Sequence, residues 1–175
     1  MNYLIVSDIH GDASSVKFIY ELHKKNKFDK IICLGDVLYH GPRNDLPLNY
    51  RPKECISLLN EIKDDIICIK GNCDAEVDEM VLKFEIIPSL DITINNKKCH
   101  LEHGHHLDLY KGFPDIIMSG HTHIPVLELK NNILYLNPGS ISIPKENSKR
   151  DYAIFNEEGI NIYSIDNILQ FSYKF

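Results

Sequence analysis

Tyr3-Leu4-Ile5-Val6-Ser7-Asp8-Ile9-His10 decides how this chain is read: an uninterrupted apolar run passes directly into Asp-x-His. A run this short, bounded by polar residues, reads as a buried strand. From about Ser14 to Lys25, Val16, Ile19, Tyr20 and His23 fall at i, i+3, i+4 and i+7, one face of a helix that Asp12 or Ser14 could cap. The unit is strand, polar loop, helix. It recurs downstream, where Gly35-Asp36 follows Ile31-Ile32-Cys33-Leu34 and Gly71-Asn72-Cys73-Asp74 follows Ile66-Ile67-Cys68-Ile69. Between these lies a loop from Tyr39 to Arg51 holding Pro42 and Pro47. Pro52 then starts a helix whose Cys55, Leu58, Leu59 and Ile62 share a face. The first half is β-α-β-α-β.

The second half has the strand period. Asp91 to Leu101 and Val126 to Leu136 alternate apolar and polar residues around Asn95-Asn96 and Asn131-Asn132, and Asp151 to Ile165 does so around Glu157-Glu158-Gly159. These read as hairpins. An α/β half followed by a β-rich half suggests two sheets packed on each other with helices outside, in one domain spanning residues 1–175.

Composition narrows the function. A hydrophobic content of 43% can fill one substantial core, and a formal charge of -6 disfavours stable binding of long nucleic acid, which needs a basic stripe. Lys24-Lys25 and Lys97-Lys98 read as solvated helix-end and turn charges. Cys33, Cys55, Cys68, Cys73 and Cys99 are odd in number, and Cys33 and Cys68 lie in apolar runs. That pattern fits a reducing compartment. With no signal-peptide core and no run of membrane-spanning length, a cytoplasmic location without membrane attachment is expected.

Two further blocks complete a series of metal-binding side chains: His103-Gly104-His105, and Gly120-His121-Thr122-His123 after Ile116-Ile117-Met118. An Asp after a strand is often only a helix cap, and Gly-Asp is often only a turn. A His-x-His pair on extended backbone points both rings to one side, but it can be a pair of surface histidines. Two such pairs with Asp-x-His and an Asn at successive strand ends favour one shared site. Carboxylate and imidazole donors without Cys-x-x-Cys suit Mn, Fe or Zn in an open, water-accessible centre.

In this order the blocks resemble the calcineurin-like metallophosphoesterase superfamily. The segments Leu34 to Asn44, Lys70 to Asp74 and Asn137 to Lys145 are similar to the YfcE-type bacterial phosphodiesterases. The resemblance spans nearly the whole chain and implies a four-layer α/β/β/α sandwich of two packed mixed sheets, with a two-metal centre at one edge. It also implies ligand sets. Asp8, His10, Asp36 and His123 would hold one ion and Asp36, Asn72, His103 and His121 the other, with Asp36 as the bridge. Mn²⁺ is the first expectation, with Zn²⁺, Fe²⁺ or Ni²⁺ as alternatives. Two cations about 3.5–4 Å apart deprotonate a shared water and clamp a phosphate in an in-line displacement. With Asp8, Asp36 and hydroxide such a centre keeps net positive charge, which draws an anionic ester.

Asp36 and Asn72 would thus serve catalysis as well as metal binding, and a small phosphodiester is the expected substrate. Cys73 departs from the many relatives that carry His after the motif Asn. A thiol is a poor general acid, so activated esters should react best. His105 could supply the proton instead or be a solvent-facing histidine. Arg43 could clasp phosphate or be simply solvated. Asp74 could orient a ligand histidine or cap a short helix from Glu76 to Leu82. Asn137-Pro138-Gly139-Ser140 reads as a tight loop supporting the metal edge, since it lacks P-loop spacing. Two other functions fit: a monoester phosphatase, and a non-catalytic scaffold like the related retromer subunit. The hairpin half leaves strand edges that could mediate self-association.

Overall fold

In the computed structural model, which describes residues 1–175, β1 (Tyr3–Val6), β2 (Lys30–Cys33) and β3 (Ile66–Ile69) run parallel. The helices α1 (Ala13–Asn26) and α2 (Pro52–Glu61) connect them. Strand alternation sorts their side chains. Leu4, Val6, Ile31 and Cys33 face the helices, meeting Val16 and Ile19 of α1 and Cys55 and Leu59 of α2. Tyr3, Ile5, Ile32 and Ile69 face the other way, into the space between the sheets. Asp12 caps α1, accepting from the Ser15 N–H at 2.9 Å, and Pro52 occupies the first turn of α2 as expected.

The short α3 (Glu76–Val81) leads to β4 (Ile86–Ile87), which pairs with β3 at the sheet edge. The second sheet has the order β5-β6-β7-β9-β8. It comprises β5 (Ser89–Ile94), β6 (Lys97–Glu102), β7 (Ile116–Met118), β8 (Pro125–Lys130) and β9 (Ile133–Pro138). Both hairpins turn on Asn pairs in left-handed conformation, with φ of 48° and 63° at Asn95-Asn96 and 51° and 63° at Asn131-Asn132.

The third hairpin returns to the first sheet. β10 (Asp151–Phe155) lies antiparallel to β1, followed outward by β11 (Gly159–Ser164) and β12 (Leu169–Lys174). Ala153, Phe155, Ile160 and Ile162 drive this placement, because they join the intersheet core while Tyr152 joins the helix-side core. The architecture is thus the expected α/β sandwich of mixed sheets. Its helical layers are unequal: α1 and α2 cover the seven-stranded sheet, whereas the outer face of the five-stranded sheet carries only a 3-10 turn at Leu107–Leu109, after which Tyr110 stacks on His100. No helix is long and apolar enough to cross a membrane.

Candidate metal centre

β1, β2 and β3 are parallel, as are β6 and β7, so their C-terminal ends deliver the loops bearing Asp8 and His10, Asp36, Asn72, His103, and His121 and His123. Five of these residues hold left-handed backbone, with φ of 54° at Asp8, 49° at His10, 57° at Asp36, 68° at His121 and 62° at His123. Such conformations are costly for residues with a Cβ and persist only where the surroundings over-determine them. Here the first two loops are laced together: Asp8 N–H donates to Gly35 O at 3.1 Å and His10 N–H to Asp36 O at 2.9 Å. The hydroxyls of Ser140 and Ser142 donate to Asp8 O at 2.7 and 2.8 Å, and Asn137 Nδ2 donates to Gly120 O at 2.7 Å. The Asn137–Ser140 segment therefore buttresses the site edge.

Three imidazoles are aimed by backbone carbonyls. Nδ1 of His10 meets Tyr39 O at 2.8 Å, Nδ1 of His103 meets Leu34 O at 2.6 Å, and Nδ1 of His123 meets Ile143 O at 2.7 Å. Assigned from this network, each Nδ1 carries a proton, which leaves Nε2 to face the cluster. Nε2 of His10 and His123 lie 3.2 Å apart. Nε2 of His123 is 3.3 Å from Asp8 Oδ1, and Nε2 of His103 is 3.4 Å from Asp36 Oδ2 and 3.1 Å from Asn72 Oδ1.

Each carboxylate is held by one oxygen and offers the other. Asp8 Oδ2 accepts from Ser7 Oγ at 2.7 Å and from the His121 N–H at 2.9 Å, while Oδ1 is buried with no hydrogen-bond partner. Asp36 Oδ1 accepts from the Cys73 N–H at 2.8 Å, leaving Oδ2 toward the histidines. Three triads have their donor atoms within 4.8 Å of one another: Asp8, His10 and His123; Asp8, Asp36 and His103; and His10, Asp36 and Cys73.

The electrostatics demand positive charge at this point. Burial works against ionisation of Asp8, yet the adjacent imidazoles of His10 and His123 hold its carboxyl well below the usual carboxylate range. Burial likewise lowers the basicity of His103, and the Asp36 and Asp8 carboxylates reverse this and raise it to about 9. His10 is raised in the same manner, against burial and chiefly by Asp8. A buried orphan carboxylate oxygen beside facing imidazole nitrogens fits a cation bound by hard oxygen and nitrogen donors. Cys73 is different: burial and then Asp36 push its thiol up to about 12.

The remaining expected residues lie around this cluster. His121 is outside the triads, its ring 5.2 Å from that of His103, and it lines a small cleft with Asp36, Asn72 and Arg43. His105 lies 5.5 Å from the His103 ring, toward a larger neighbouring cavity. Lys145, which no motif in the sequence marks as a site residue, lines the cleft with Arg43. Its backbone is tied to a ligand loop: Lys145 N–H donates to His123 O at 3.3 Å.

Asp74 takes neither expected role, because Asp78 caps α3 by accepting from the Ala75 N–H at 2.9 Å. Instead the Asp74 carboxylate accepts from the backbone N–H groups of Asp36, Val37 and Gly71 at 2.8, 2.8 and 2.7 Å, clamping two ligand loops together. Burial raises its pKa and the N–H donors oppose this. With both oxygens occupied as acceptors, the ionised form fits the geometry. Glycine is required at Gly71 because a Cβ there would overlap the Asp36 carboxylate and its N–H.

A sandwich of two mixed sheets with a carboxylate and imidazole cluster at the ends of its parallel strands is the architecture of a metallophosphoesterase. Residues 1–159 match the calcineurin-like phosphoesterase superfamily domain, and the chain belongs to that family. It is 36% identical over 173 residues to phosphodiesterase YfcE of Escherichia coli strain K12, covering 95% of this chain and 94% of that protein. The solved structure of YfcE superposes with a TM-score of 0.95 at 33% identity, covering 99% of both chains. A probable metallophosphoesterase of Bacillus subtilis, YsnB, is 30% identical over 90% of this chain and 85% of its own length. Vps29 of Entamoeba histolytica, solved in complex with Zn²⁺, shares the fold with a TM-score of 0.65 at 20% identity, covering 99% of both chains.

Proposed function

We propose that this chain is a divalent-metal-dependent phosphodiesterase that acts on a small phosphodiester. The observation that carries the reading is the geometry around Asp8 Oδ1: a buried, unpartnered carboxylate oxygen 3.3 Å from a histidine Nε2 that itself faces a second one at 3.2 Å. The similarity to YfcE, itself a phosphodiesterase, supports the reaction class. In this proposal Asp8, His10, Asp36 and His123 hold one ion and Asp36, Asn72, His103 and His121 the other, with Mn²⁺ the first candidate. Bound there, two divalent ions would supply Lewis-acid activation of water and charge stabilisation of the phosphate.

The chain's own residues do the rest. Arg43 and Lys145 flank the cleft and offer cationic donors to phosphate oxygens. His105 stands beside the centre as the candidate proton donor to the departing alkoxide; burial lowers its pKa, so donation runs through its minor protonated form and should fade as pH rises. Cys73, a thiol raised to about 12, is too weak an acid to assist, so activated esters react best. Five free cysteines support a cytoplasmic setting. All of this lies in one domain, residues 1–175.

The test is hydrolysis of matched aryl phosphodiester and phosphomonoester substrates by metal-stripped protein, with Mn²⁺, Zn²⁺, Mg²⁺ and Ni²⁺ returned in turn, alongside Asp36→Asn. Preferential diester turnover that needs both metal and Asp36 is expected. Preference for the monoester would make the protein a phosphatase. Absence of turnover in protein with a filled site would favour the scaffold reading.

A further inference from the structure

Beside the cationic cleft lies a second, larger cavity of about 540 Å³, and Asn72 lines both. Its volume falls in the range of small-molecule sites, about 300–1,000 Å³. The mechanism above uses only its rim, at Asn72 and His105.

Its charge and its surfaces differ from those of the cleft. The single lysine on its wall, Lys70, is spent on Glu79 at 2.7 Å, outside the lining. Of the two lining acids, Asp74 is engaged with three N–H groups, while Glu102 lies 3.5 Å from His100 and accepts from the His106 N–H at 3.1 Å. No lysine or arginine remains free on its wall to receive a second phosphate. Flat rings are plentiful: Tyr110 and His100 are stacked with centroids 3.5 Å apart and planes 13° apart, and the His105 and His106 rings lie 4.1 Å apart. Polar atoms stand among them, including His105 Nδ1, which is buried with no hydrogen-bond partner.

Resting on the phosphodiesterase reading, we propose that this cavity is the specificity subsite for an ester group. It takes a neutral, polar, ring-bearing alcohol of nucleoside size, stacked against Tyr110, while the phosphate sits by Arg43. Tyr110 is then a specificity residue. A substrate continuing into a further phosphate is disfavoured there, in line with the chain's acidic balance.

The test is inhibition of aryl diester turnover in Mn²⁺-loaded protein by methyl phosphate, thymidine 5′-phosphate and thymidine 3′,5′-bisphosphate. Methyl phosphate and thymidine 5′-phosphate offer one phosphate and one organic group each, so each fills the cavity in only one way, and the bisphosphate leaves its second phosphate at the cavity whichever phosphate sits at the centre. Thymidine 5′-phosphate should bind at least about tenfold tighter than methyl phosphate, in the lower part of the about 5- to 150-fold range that base stacking contributes. The bisphosphate should bind no tighter. Tyr110→Leu, and Ser89→Trp placed at an exposed position on the cavity wall, should each reduce the tenfold preference to less than about threefold while moving the methyl phosphate constant less than about twofold. A preference absent from the wild type, surviving both variants, or enhanced by the second phosphate overturns the proposal. If no diester is turned over, the phosphodiesterase reading fails separately. The cavity is then judged by thymidine alone in metal-free protein, where ring NMR shifts at Tyr110 and His106 support it and their absence refutes it.

Discussion

Asp74→Asn changes one carboxylate oxygen to an amide and leaves the shape of the side chain intact. In the wild type, Oδ2 accepts from Asp36 and Gly71 at 2.8 and 2.7 Å, and Oδ1 accepts from Val37 at 2.8 Å. The asparagine does best by keeping its oxygen on the first pair, which turns its NH₂ against the Val37 N–H. One charge-assisted bond, contributing about 1.5–3 kcal/mol, is lost, and the other two weaken to neutral strength. The sum is about 3–4 kcal/mol. At about 2–4 °C per kcal/mol for a chain of this length, Tm of the metal-free protein should fall by about 10 °C. Since the same bonds hold Asp36 at a φ of 57°, Mn²⁺ affinity should fall at least about tenfold. Thermal unfolding at pH 7.5 and calorimetric Mn²⁺ titration read the two effects. A variant within 2 °C of wild type and with unchanged affinity would refute the claim that Asp74 clamps the ligand loops.

Gly71→Ala should destabilise the fold by about 1–3 kcal/mol through overpacking against Asp36, and should cut diester turnover about a hundredfold by displacing that carboxylate; turnover and melting of the purified variant decide it. Mn²⁺ at a hundred times its Kd should stabilise the wild type by about 2.7 kcal/mol for each ion bound, seen as a Tm rise of about 5–10 °C per ion that EDTA reverses. Asp151 is buried with both carboxylate oxygens unpartnered, and burial pushes its pKa up to about 6. Its folded pKa thus exceeds the unfolded value, so the stabilising form is the protonated one, fully present below about pH 4 and lost as pH rises through about 6. Asp151→Asn should therefore gain about 1 kcal/mol over wild type at pH 7.5 and nothing at pH 4, as chemical denaturation at the two pH values would show.

What could be read from the sequence was what lies close along the chain. The strand at Tyr3–Val6 and the helix after it are written in periods of two and of about 3.6, and the Asn pairs mark two hairpins without tertiary help. Four of the five polar blocks stood out because each follows an apolar run, and the fifth, His103-Gly104-His105, because it repeats the His-x-His pair. Three features were hidden, each a matter of distant contact. The alternation in Asp151–Phe155 identifies a strand but not its neighbour, and only packing of Phe155 into the intersheet core sets it beside β1. The three N–H groups held by Asp74 come from two loops that meet only after β2 and β3 pair. The carbonyls of Leu34, Tyr39 and Ile143 that aim the histidines carry no side-chain signature at all. Lys145 is unmarked for a similar reason, since a lone Lys in a loop gives no sign that the fold brings it to the same cleft as Arg43.

On the proposed reading, Asp8 Oδ1, Asp36 Oδ2 and the facing histidine nitrogens form a centre for two divalent ions. The most direct measurement is Mn²⁺ stoichiometry by calorimetric titration of chelator-stripped protein, for wild type and Asp36→Asn. Two ions bound per chain, with the variant losing at least one, is the predicted result. Wild-type protein that binds no Mn²⁺, or binds it equally well without the Asp36 carboxylate, would contradict the account.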